Sequence, residues 1–134
     1  MTVYLDTTAL LALLIPGRPR TIVLELLKSD SDWCSSAIAL PEALAGAHRM
    51  SDQVVLREKL VRDIRSMWEA IAIIPVDQTC VSEAERLICD QPIGISTAIH
   101  LAAAQRLPRP LFFATFDSSQ IPIALGLEFK VASA

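Results

Sequence analysis

At 134 residues, 52% of them hydrophobic and 20% charged, the chain has the length of one compact domain, 1–134, and ample material for a core. A net charge of -3 argues against a generic polyanion binder, so any contact with nucleic acid must come from local basic patches or through a bound cation. No apolar run reaches the roughly 18 to 20 residues of a membrane span. Asp6 interrupts the opening apolar run, which has no basic flank and does not read as a signal peptide. The cysteines Cys34, Cys80 and Cys89 form no C-x-x-C pair and read as reduced thiols. A cytoplasmic protein is the default expectation.

Tyr4 and Leu5 read as the end of a short buried strand, and Ala9 to Leu14 as the start of an apolar helix. Asp6 stands at the junction, with Thr7 and Thr8 behind it. In an open parallel sheet, chemistry gathers at the carboxyl ends of the strands, which favours a working role for Asp6. Asp and Thr are equally good N-caps, and from this stretch alone the two roles weigh evenly. Pro16-Gly17-Arg18-Pro19 predicts a turn, and a second helix follows from about Thr21 to Ser29. Ser29-Asp30-Ser31-Asp32 reads as a loop and Trp33-Cys34-Ser35 as a strand. Ser35 or Ser36 is suited to cap the next helix, which carries Glu42, with a kink or late start expected at Pro41.

From Asp52 to about Ala70, Leu56, Leu60, Ile64, Met67, Trp68 and Ile71 recur at helical spacing and predict core. Arg57, Lys59, Arg62 and Arg65 fall among the polar positions, most simply a solvated face. Ile71 to Val76 fits a buried parallel strand. Asp77 or Thr79 starts a helix carrying Val81, Ala84, Leu87 and Ile88. Ser96 or Thr97 opens another, ended by Pro108 and Pro110. Leu111 to Thr115 is a strand with Asp117 just beyond it, a short helix runs to about Leu125, and Glu128 to Val131 is the last strand.

Strands alternating with helices predict a three-layer α/β/α sandwich around a short, mostly parallel central sheet. Asp6 and Asp117 then leave strand carboxyl ends, and Glu42 follows the second strand, so the three acids can meet at one edge. Such carboxylates repel one another unless protonated or bridged by a cation, and oxygen-rich acidic sites suit Mg²⁺ or Mn²⁺. A metal there polarises a phosphoryl oxygen and generates hydroxide, which is phosphodiester hydrolysis. No G-x-G-x-x-G, G-x-x-x-x-G-K-[ST] or G-x-S-x-G is present, so dinucleotide, P-loop and serine-hydrolase sites lack support.

Four pieces carry a resemblance: Tyr4-Leu5-Asp6-Thr7-Thr8-Ala9-Leu10, Glu42, Ala98-Ile99-His100-Leu101-Ala102-Ala103-Ala104 and Phe113-Ala114-Thr115-Phe116-Asp117. Their order and spacing resemble the PIN domain, specifically the small VapC-type toxins of bacterial toxin–antitoxin pairs. The resemblance implies a Mg²⁺- or Mn²⁺-dependent endoribonuclease, a homodimer, and a cognate antitoxin covering the acidic groove. It implies that Asp6, Glu42 and Asp117 are the catalytic, metal-holding acids, with Thr7 and Thr115 in support. One departure stands out. The family places Asp directly before the Ala-Ile-His segment, and here that residue is Thr97, a neutral hydroxyl that lowers the ligand charge available to a hard cation. An enzyme weakened at Thr97 and a catalytically impaired binding module are therefore both open. His100 lies one helical turn from Thr97 and is expected to be a packed helix residue rather than a base.

Overall fold

The opening strand becomes the centre of the sheet. In the computed structural model, which describes residues 1–28 and 32–133, the strands are β1 (Thr2–Leu5), β2 (Asp32–Ser36), β3 (Ala72–Ile74), β4 (Leu111–Ala114) and β5 (Lys130–Ala132). They lie in the order β3-β2-β1-β4-β5. Every pairing is parallel: Val3 lies beside Trp33 and Phe112, Cys34 beside Ala72, and Phe113 beside Val131. A strand covered on both faces has no solvent side to alternate with, which is why Thr2 to Leu5 is buried throughout.

Side chains alternate across β1 and so divide the core into two layers. Tyr4, Cys34 and Phe113 pack towards Cys80, Leu87 and Leu101, which belong to α5 (Gln78–Asp90) and α6 (Ile95–Gln105). Val3, Leu5 and Ala114 pack on the opposite face towards Leu10 of α1 (Thr7–Ala12) and Val23 of α2 (Arg18–Leu27). This is the three-layer α/β/α arrangement the sequence predicts. A third cluster joins Ala43 and Ala47 of α3 (Ala39–Met50) to Leu60 and Ile64 of α4 (Val54–Trp68). The chain closes through a short 3-10 turn (Ser118–Gln120), α7 (Ile121–Gly126) and β5. Among the described residues, no helix is long and apolar enough to cross a membrane.

Helix starts depart from the sequence reading in a consistent way. α2 begins at Arg18 rather than Thr21, with Pro19 in its first turn, where its missing N–H has no intrahelical partner to lose. α3 likewise takes Pro41 into its first turn without a late start. Ser36 accepts from the Ile38 amide at 3.3 Å without being the cap, and the Ser35 hydroxyl instead donates to the Leu5 carbonyl at 2.6 Å. α6 begins at Ile95 behind Gly94, so neither Ser96 nor Thr97 caps it. Asp77 does cap α5, accepting from the Cys80 amide at 3.0 Å. Asp32, expected in a loop, opens β2, while Ser29, Asp30 and Ser31 lie outside the described residues. Glu128 falls in a left-handed turn (φ 66°) that delays β5 to Lys130.

α1 and α3 approach closely at Gly46, where a Cβ would stand 2.8 Å from the Leu11 Cδ1. The end of the Leu11 side chain can shift for a Cβ, but valine adds two methyl groups beyond it where Leu11 Cδ2 and Cγ already stand 3.4 and 3.7 Å from the Cβ. Gly46→Val is therefore expected to lower stability by about 1–3 kcal/mol through overpacking, despite leaving a poor helix former behind. Urea unfolding checks this, with an unchanged midpoint as the contrary result.

Candidate active site

Asp6 leaves β1 and immediately caps α1, one of the two roles that its sequence position suggests. Its Oδ1 accepts from the Ala9 amide at 2.9 Å and the Thr8 hydroxyl at 2.6 Å, and its Oδ2 accepts from the Thr115 hydroxyl at 2.5 Å. The residue is only 1% exposed. Burial raises its pKa from the ordinary carboxylate value, and the bonds from Thr115, Thr8 and Ala9 offset this only in part. All three of those donors are neutral, so charge on Asp6 is solvated by dipoles in a dry place.

Thr115 connects two of the predicted acids. Besides donating to Asp6, its oxygen accepts from the Asp117 amide at 3.1 Å. Asp117 caps the 3-10 turn, its Oδ1 accepting from the Ser119 amide at 3.0 Å and the Ser119 hydroxyl at 2.7 Å. The Ser119 hydroxyl is the main cause of its lowered pKa, with burial acting the other way. The Thr8 hydroxyl also accepts from the Phe116 amide at 2.8 Å, tying the segment after β4 to the start of α1.

Glu42 lies one turn into α3 and has a basic partner that the sequence reading did not assign. Its Oε1 accepts from the Thr7 hydroxyl at 2.7 Å and lies 2.8 Å from the His100 Nε2; its Oε2 accepts from the Ser96 hydroxyl at 2.5 Å. Burial pushes the Glu42 pKa up, but the bonds from His100, Ser96 and Thr7 prevail and hold it at about 2. An ionised carboxylate only accepts, so the His100 Nε2 carries a proton. His100 is 2% exposed, and its Nδ1 lies 2.6 Å from the Tyr4 hydroxyl. The expectation of a packed helix residue is met, but packing is not its whole part.

Two hydrogen-bonded sets therefore occupy the carboxyl edge of the sheet: Asp6–Thr115, which Asp117 joins through its backbone amide while its carboxylate turns to Ser119, and Tyr4–His100–Glu42–Thr7. Thr7 follows Asp6 directly and so joins them through the backbone. Thr97 is half-buried on α6 and makes no side-chain hydrogen bond among the described residues; its neighbour Ser96 reaches Glu42 instead. Sequence reasoning missed His100, Tyr4 and Ser96. The available signal was the turn separating Thr97 from His100, which places that helix face at the same edge. Beside Thr8 an open groove of about 440 Å³ runs past Leu11, Ile15, Pro19 and Met50 to Phe116; none of the three acids lines it. Of the basic candidates, Arg20 donates to the Leu13 carbonyl at 3.2 Å and Lys59 pairs with Asp63 at 2.7 Å. Arg57 and Arg62 line a cleft with His48 between α3 and α4.

Among the described residues, no three His, Cys, Asp or Glu side chains stand together as a ready cage for a metal ion. A hydrated Mg²⁺ does not need one, since it usually keeps several waters and takes one or two carboxylates. The donor chemistry suits that mode in kind: Asp6, Glu42 and Asp117 offer hard carboxylate oxygens, and the bond from the Asp117 amide to Thr115 sets that residue beside Asp6.

Comparison with known proteins bears on this edge. No curated protein matches the chain in sequence. Among solved structures, the VapBC2 complex from Rickettsia felis, bound to a DNA fragment from its promoter, is similar with a TM-score of 0.74 at 16% identity, over 100% of this chain and 99% of that one. FitAcB from Neisseria gonorrhoeae gives a TM-score of 0.74 at 21% identity, over 97% and 96% of the two chains. Mycobacterium tuberculosis VapC20, described as a sarcin–ricin loop cleaving toxin, gives 0.70 at 14% identity, over 90% and 94%. At such identities the likeness concerns the fold. The model of the PIN domain matches residues 3–124, and with nearly the whole chain covered, the protein belongs to the PIN domain family.

Proposed function

We propose that the chain is a metal-dependent endoribonuclease, the toxin of a type II toxin–antitoxin pair, with Asp6, Glu42 and Asp117 as its catalytic acids. The observation that carries this reading is Asp6: a carboxylate buried at the carboxyl edge of the sheet and bonded by neutral donors, one of which, Thr115, also holds the Asp117 amide beside it. Asp6 and Asp117, with Glu42, would hold Mg²⁺ or Mn²⁺, which when bound polarises a phosphoryl oxygen and lowers the pKa of water.

The chain's own residues supply orientation. Thr115 fixes the Asp6 Oδ2, Thr8 fixes Oδ1, and Thr7 with His100 holds the Glu42 Oε1. Glu42, its pKa held at about 2, is ionised throughout the neutral range, the form in which a carboxylate serves as a ligand to a hard cation. A cognate antitoxin as partner is supported by toxin–antitoxin complexes of the same fold, and RNA as substrate by the sarcin–ricin loop cleavage described for VapC20; a homodimer and a cytoplasmic location belong to the same reading.

A second reading is a catalytically impaired binding module that keeps antitoxin binding and dimerisation. It is favoured by Thr97, which offers no charge at the edge, and by the engagement of both Glu42 oxygens within the protein. Incubating the purified full chain with RNA in Mn²⁺, with and without chelator, separates the two. Chelator-sensitive cleavage is the expected result; cleavage indifferent to chelator would remove the metal mechanism, and no cleavage at all would favour the module.

A further inference from the structure

We propose that His100, clamped by Tyr4, is the positioning residue for Glu42, a role that rests on the nuclease reading above. Glu42 is a flexible side chain on a helix surface, with 32% of it exposed, and nothing in α3 itself fixes its carboxylate. The fixing comes from the opposite side of the site. His100 has both ring nitrogens engaged, Nδ1 with the Tyr4 hydroxyl at 2.6 Å and Nε2 with the Glu42 Oε1 at 2.8 Å, and Nε2 also lies 3.2 Å from the Thr7 hydroxyl.

Behind the imidazole stands the central strand of the sheet. Tyr4 is fully buried on the central strand, its ring stacked on Phe113 at 5.2 Å and 7° and meeting His100 edge-on at 5.8 Å and 75°. Burial drives its pKa well above the ordinary tyrosine value, so the hydroxyl keeps its proton and remains a neutral partner for Nδ1. The ring cannot flip without breaking both bonds at once.

The clamp makes the two Glu42 oxygens unequal. Oε1 is held by Thr7 and His100, both anchored in the core layers, whereas Oε2 is met by the hydroxyl of Ser96, an exposed residue free to turn away. Oε2 is therefore the oxygen presented to a cation or a water, and Oε1 is the one that sets its direction. Groups that orient a ligand in this way typically affect metal affinity by about 10- to 100-fold when removed.

The test titrates Mn²⁺ into the full chain, following the free ion by electron paramagnetic resonance, and measures RNA cleavage in parallel. His100→Ala is expected to weaken Mn²⁺ binding by about 10- to 100-fold. His100→Gln, whose amide N–H can replace Nε2–H, should recover part of the loss, and Tyr4→Phe should show a smaller loss in the same direction. Circular dichroism checks that each variant folds; if His100→Ala does not, the other two carry the test. Leu87→Ala, which truncates the same core layer without touching Glu42, should lower stability and leave Mn²⁺ affinity unchanged. Affinity within twofold of native in folded His100→Ala, or in Tyr4→Phe where His100→Ala does not fold, would overturn the role of His100 while leaving the nuclease reading intact. A native chain that neither binds Mn²⁺ nor cuts RNA would overturn both.

Discussion

Asp6→Asn is expected to reduce RNA cleavage by about 10³-fold, the scale of losing a group that stabilises developing charge, while leaving the chain at least as stable as native at neutral pH. The combination follows from one property of Asp6. Burial raises its pKa, and the hydroxyls of Thr115 and Thr8 with the Ala9 amide counter this only partly. An acid whose folded-state pKa is raised favours folding most at low pH, where it is protonated in both states. That contribution is lost as pH rises from the ordinary value through the raised one. Asparagine carries no such penalty, so the stability difference should be absent near pH 4 and develop as the solution approaches neutrality. Urea unfolding at several pH values, beside a cleavage assay in Mn²⁺, reads both halves. A variant destabilised at pH 7 would mean that the carboxylate is retained for its hydrogen bonds rather than its charge, and one that still cuts RNA would remove Asp6 from the chemistry.

The layers of this fold were legible because apolar periodicity is a local signal. Leu60 and Ile64 repeat at helical spacing and are buried, and Val3 to Leu5 form an unbroken apolar run and take the sheet centre. The placement of Asp6 and Asp117 just beyond β1 and β4 was legible because in a parallel sheet all strand ends of one sense share an edge. Helix starts were harder: Pro19 and Pro41 look like breakers in sequence but are compatible with a first turn. What sequence could not supply was the hydrogen bonding among the acids. Thr115 meets Asp6 across 109 positions because β4 lies beside β1, and His100 meets Glu42 across 58 because the end of β2 brings α3 towards α6. The partner of Glu42 is a buried histidine that the sequence reading assigned only to packing.

Thr97→Asp is the substitution expected to strengthen the site, by about 10-fold or more in Mn²⁺ affinity, since hard cations are held by ligand charge and count. The position suits the purpose. Thr97 is half-buried at the start of α6, one turn before His100 and next to Ser96, which already reaches Glu42. A carboxylate there adds a negative charge near an ionised Glu42 and a buried Asp6. Without metal, the variant should therefore melt at a lower temperature than native. Mn²⁺ should restore the loss and more, because a ligand bound only by the folded state stabilises it by mass action. Melting curves of both chains over a Mn²⁺ series measure this without reference to activity, and cleavage assays then separate the two functional readings. An enzyme weakened at position 97 cuts RNA slowly as it stands and faster with the acid, whereas a binding module cuts only once the acid is present. If the variant's melting temperature does not respond to Mn²⁺ differently from native, position 97 has no part in holding the cation, and the hydroxyl there is an ordinary feature of a helix surface.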